Sequence, residues 1–122
     1  MKIKTSELTG AALAYAVAQT TPDLMQVGLC FYIRDVESGE RVLFNPAENW
    51  SQAGPIIERE CIGILAYGHC SVAPKNPEYW EAAMDATNES ITHYGSTPLI
   101  AAMRCYVASK LGDEVEVPDG LV

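Results

Sequence analysis

Positive charge is scarce in this chain: eight Lys and Arg stand against sixteen Asp and Glu, for a net charge of −8. Binding to a phosphate backbone rests on clustered cations that displace counterions, so no direct nucleic-acid partner is expected. The imbalance is steepest after Asn76, where eight acids accompany two bases. Such acidity keeps a small protein soluble, and the sharper reading is an acidic decoy for a nucleic-acid-binding protein. Long apolar runs are missing too. None approaches the roughly 20 residues that cross a bilayer. The start, MKIKTSEL, turns polar where a signal peptide turns apolar, so a cytoplasmic location and no membrane partner are expected. The chain has four cysteines, none in a C-x-x-C pair. In a reducing compartment they read as free thiols, with Cys30 and Cys105 buried among apolar neighbours.

The groups that carry chemistry are equally thin. Cys61, His69 and Cys70 form the one cluster of soft ligands, and adjacent His69 and Cys70 cannot both point inward from an extended segment. Cys70 beside His69 lacks the opposed base and orienting acid that activate a thiol. Glu58 and Glu60 do not share a helical face, and Glu78 and Glu81 straddle Trp80 at a strand start. Gly54-Pro55 has neither the lysine nor the glycine spacing of a phosphate loop. No catalytic residue, metal ligand or cofactor site is assigned, and a small hydrolase or metal enzyme ranks last among the readings.

What is present is a well-punctuated α+β pattern in 122 residues, the size of a single domain spanning 1–122. The clearest element is a helix over 97–111. Thr97 caps it, Pro98 suits its first position and Gly112 terminates it. Leu99, Ile100, Met103, Tyr106, Val107 and Leu111 share one face, and the opposite side is small, so this helix reads as a buried spine. A second helix spans about 6–19, capped by Ser6 and ended before Pro22. Its alanines suit close packing against the small side of the spine.

Between the helices, Lys2–Lys4 is an extended lead-in and residues 28–44 form a hairpin turning at Glu37-Ser38-Gly39. A helical turn lies around Trp50, and a separate helical segment begins at Pro55 with Ile56 and Ile57 in the core. Glu58, Arg59 and Glu60 form its solvated end. Residues 62–67, 79–84 and 90–94 read as an antiparallel meander, with a loop over 68–78 and a turn at 85–89. Val115 and Val117 alternate with acids in an edge strand. The expected architecture is a small antiparallel sheet packed with two main helices in one layered sandwich.

Three stretches, TSELTGAALAYAVA, NWSQAGPIIERE and TPLIAAMRCYVASKLGDEVEVP, resemble the NinX-like family of phage and prophage proteins. Its members are of unknown function and are carried among the accessory genes of lambda-like phages. They are similar to phage domains described as an α-β-α sandwich. The resemblance implies an α+β fold and a phage accessory role, and it supplies no catalytic residues. The chain departs from the family at Ala14, where an acid is usual, and in the less familiar segments 23–46 and 67–94.

With no catalytic set, the reading is a non-enzymatic module that binds a protein of the phage or its host. Candidate interaction residues are Trp50, Arg59, Trp80 and Arg104, because tryptophan and arginine are enriched at the centres of interfaces. The bland alternative is that both tryptophans serve as core platforms and that one arginine pairs with a carboxylate to hold the fold.

Overall fold

The computed structural model describes residues 1–34, 37–67, 79–86 and 89–121. In chain order it places β1 (Lys2–Lys4), α1 (Gly10–Ala18), β2 (Met25–Val27), β3 (Cys30–Arg34), β4 (Arg41–Leu43) and α2 (Trp50–Glu60). There follow β5 (Gly63–Tyr67), β6 (Tyr79–Ala86), β7 (Glu89–Gly95), α3 (Pro98–Leu111) and β8 (Glu114–Glu116). The fold is α+β, with three helices among the described residues. The single small sheet of the sequence reading is instead three antiparallel sheets, ordered β1-β8, β2-β3-β4 and β5-β6-β7. The loop 68–78 and the turn residues Thr87 and Asn88 lie outside the described residues.

The spine is α3. The Thr97 hydroxyl accepts from the Ile100 N–H at 3.2 Å, Pro98 opens the helix, and Gly112 leaves it with φ of +90°. Leu99, Ala101, Ala102, Met103, Cys105, Tyr106, Val107 and Ala108 are all buried. One side packs on β5-β6-β7, while α1 and α2 contact it elsewhere. Two positions of its expected face differ: Ile100, in the first turn, is half-buried against the core, and Leu111, the last residue of the helix, is 38% exposed.

Other expectations are corrected by tertiary contacts. The first helix begins at Gly10 rather than near Ser6, and Thr5–Glu7 is a 3-10 turn. Thr5 is the reason: its backbone N–H donates to Asp113 O at 2.7 Å and its hydroxyl to Gly112 O at 2.6 Å, docking this segment on the end of α3. The segment around Trp50 and the one from Pro55 are one continuous helix. Asn49 caps it, and proline is tolerated inside because the residue before it is Gly54, which has no Cβ to meet the ring. The helix ends with Cys61 in the left-handed region, the Cys61 N–H donating to Glu58 O and the Ile62 N–H to Ile57 O. Ile56 is buried as expected, whereas Ile57 is half-buried. Cys30, expected inside, is exposed; Cys105 is buried.

The hairpin expected over 28–44 gains a strand, β2, joined to β3 through Gly28-Leu29, with Gly28 at φ of +64°. Beyond β4, Phe44 N–H donates to Phe31 O, which turns the Leu43 carbonyl and the Asn45 N–H toward the open edge. The Gln52 carboxamide meets both there. Its Nε2 donates to Leu43 O at 2.8 Å, and Asn45 N–H donates to its Oε1 at 2.6 Å. A side chain of α2 thus stands in for a neighbouring strand.

Candidate functional site

The four candidate residues occupy separate elements, and no hydrogen bond, ion pair or ring contact joins any two of them among the described residues. Arg104 lies midway along α3, half-buried, with Nε donating to Leu8 O at 2.7 Å and Nη1 to Tyr94 O at 2.8 Å. Those bonds tie three segments together and absorb the guanidinium in structure. Trp80 is half-buried against the core from β6. Trp50 opens α2 with 58% of its surface exposed.

Arg59 belongs to a polar cluster where the carboxyl ends of α1, α2 and α3 converge. Its Nε lies 3.1 Å from Glu60, Lys110 Nζ reaches the other Glu60 oxygen at 3.0 Å, and both cations sit 5.9 Å from the Tyr106 ring centre. The Tyr106 hydroxyl is 3.0 Å from that of Thr20 and 3.4 Å from Arg59. Glu60 is therefore not the solvated residue expected: its side chain is 13% exposed, and the Lys110 hydrogen bond holds its carboxyl below the ordinary value against the effect of burial. A groove of about 340 Å³ opens beside these groups. Helix carboxyl ends carry partial negative charge, which Arg59 and Lys110 already answer. The cluster reads as an electrostatic clamp, because its cations are committed to the helix ends and Glu60.

His93 lies on the α3 side of β5-β6-β7, in register with Ala82 and Ile64, and burial lowers its pKa. Burial pushes the Cys105 thiol up to about 11. Neither group meets a complementary acid or base poised for catalysis among the described residues. Among them, too, no three His, Cys, Asp and Glu side chains gather around a metal position. His69, Cys70 and Glu78 lie outside the described residues.

The feature that sequence reasoning passed over is the outer face of β2-β3-β4. Strand alternation and the register put Met25, Tyr32 and Leu43 in one row, Val27 and Cys30 on one side of it, and Arg34 opposite Arg41 on the other. Val27 is 52% and Leu43 49% exposed. The Arg41 guanidinium lies 5.5 Å from the Tyr32 ring centre. Phe31 and Ile33 point the other way and pack against the core. Because LCFYIR is apolar at both parities, alternation alone does not say which face is covered. The Arg34/Arg41 pairing across the hairpin was the available signal. The Gln52 clasp fixes the first turn of α2, where Trp50 sits, to the edge of this sheet.

Among comparisons with known proteins, no curated protein matches the chain. The family model described as Bacteriophage P22, NinX matches residues 4–110, which contain α1, α2, the two three-stranded sheets and nearly all of the spine. The match runs through all three stretches that carried the resemblance, apart from the last residues of the third. The chain belongs to the bacteriophage P22 NinX family.

Proposed function

We propose that this family member is a phage or prophage accessory protein that acts by binding another protein in the cytoplasm of the infected bacterium, without catalysing a reaction. The observation that supports this reading is the outer face of β2-β3-β4: Val27 and Leu43 stand exposed beside the half-buried Met25 and Tyr32, with Arg34 and Arg41 closing one end. Exposed apolar area flanked by arginine and tyrosine is the composition of an interface centre. A partner suited to it brings apolar anchors for Met25, Tyr32 and Leu43 and carboxylates for Arg34 and Arg41. Trp50 extends the candidate surface, whereas Trp80 and Arg104 do structural work. No helix among the described residues is long and apolar enough to cross a membrane.

The decoy reading is less well supported. The acids on β8 do not form a ridge of one sign, since Glu114 stands opposite Lys4 and Glu116 opposite Lys2. To test the choice, the tagged protein is used to capture partners from infected cells, and each is then titrated in purified form against Tyr32→Ala, Arg41→Ala and Trp50→Ala. Loss of direct binding with the first two, at an unchanged unfolding midpoint, is expected. Binding that survives both but collapses with added salt would favour the decoy.

A further inference from the structure

Two of the sheet edges, those of β4 and β5, are treated differently. The edge of β4 is closed in part by Gln52 and carries Arg41. Among the described residues the edge of β5 has neither device. Gly63–Tyr67, GILAY, contains no charge and no proline, and it pairs only with β6 among the described residues. Leu65 at its centre is 59% exposed. Natural edges are blunted by charge, proline, a bulge or a cover, and an unguarded apolar edge offers its backbone to another strand.

We propose that β5 pairs antiparallel with β5 of a second copy, about a twofold axis at Leu65. The strand is complementary to itself in this register. Ile64 falls opposite Ala66, so large meets small, and Leu65 faces its own copy. The register also keeps faces matched: the side of the sheet that packs on α3 continues across the axis, giving six strands in the order β7-β6-β5-β5-β6-β7. Charge does not oppose it locally. The acid beside Leu65 on the neighbouring strand is Glu81. Its copy lies three strand spacings away, about 14 Å, beyond the screening length of about 8 Å at physiological salt. The interface is separate from the face proposed for other proteins.

Sedimentation velocity on the full chain over a concentration series tests this, with Leu65→Lys and Leu65→Glu alongside. Wild type is expected to shift from monomer to dimer as concentration rises. Each variant should stay monomeric, because each sets like charges opposite one another, and an equimolar mixture of the two should recover the dimer. Leu65 is exposed in the monomer, so both variants should unfold at the wild-type midpoint when dilute. A wild type that is monomeric throughout, a variant that still dimerises, or a mixture that stays monomeric each overturns the proposal. Tyr32→Ala should leave the dimer intact.

Discussion

The two three-stranded sheets differ in what stands behind them. In β5-β6-β7 the inner face lies under the spine, where Ala82, Met84 and Gly95 are buried. In β2-β3-β4 no strand residue is fully buried, and support comes from α1 behind β3 and from Gln52 at the edge. Similar strand chemistry therefore serves different ends. One sheet belongs to the part that must unfold with the whole molecule, and the other can open while uncovering little of the core.

The hardest blow to the first sheet is expected from its helix. Met103 is fully buried, so Met103→Ala should cost roughly 2–5 kcal/mol, read as a shift of the urea midpoint for the whole molecule. An unchanged midpoint would make the spine peripheral. Next is the closest approach between α3 and β7. A Cβ at Gly95 would lie 2.6 Å from the Ala101 backbone nitrogen and 2.8 Å from Ile100 Cγ2. Gly95→Ala should therefore cost about 1–3 kcal/mol by overpacking.

The second sheet should respond locally. Gln52→Ala leaves the Leu43 carbonyl and the Asn45 N–H to water, for about 1 kcal/mol. Faster amide hydrogen exchange confined to residues 41–45, with the spine unaffected, would separate the two sheets; uniform acceleration would join them. The smallest effect concerns the clamp. The folded state holds the Glu60 carboxyl below its unfolded value of 4.5, chiefly through Lys110. Its contribution is present above that value and lost as pH falls through the lower folded pKa. Glu60→Gln should thus lower stability by about 0.5–1 kcal/mol at pH 7. The two proteins should converge in acid, and a gap that persists there would assign the effect to packing.

Much of this was legible where the determinants are local. Thr97, Pro98 and Gly112 delimit α3 within one stretch of chain, and the pattern of Ile62–Tyr67, Tyr79–Met84 and Ser90–Tyr94 places the meander. What failed was set from a distance. Ser6 resembles a cap, yet Thr5 is bound to the far end of the spine, 107 residues away. Pro55 resembles a helix start, yet Gly54 relieves the clash and Ala53 and Ile56 bury the face on both sides of it. The two carbonyls that hold Arg104, on Leu8 and Tyr94, were likewise out of reach, because they lie on elements with no sequence relation to it. Cys30 resembled a core thiol because its neighbours are apolar, and only the sheet register shows which face they share.

Cys105 gives the spine a clock. Its sulfur is buried, held 3.4 Å from the Ile91 carbonyl, with a pKa pushed up to about 11 by burial, so in the closed molecule almost no thiolate meets an alkylating reagent. Cys30 and Cys61 stand exposed on other elements and should be consumed first. Once they are spent, modification at residue 105 advances only in the intervals when α3 lifts from β7. Its rate, followed by mass spectrometry of that one peptide, counts those openings directly, and a ligand or second copy that steadies the β5-β6-β7 sheet should slow the count.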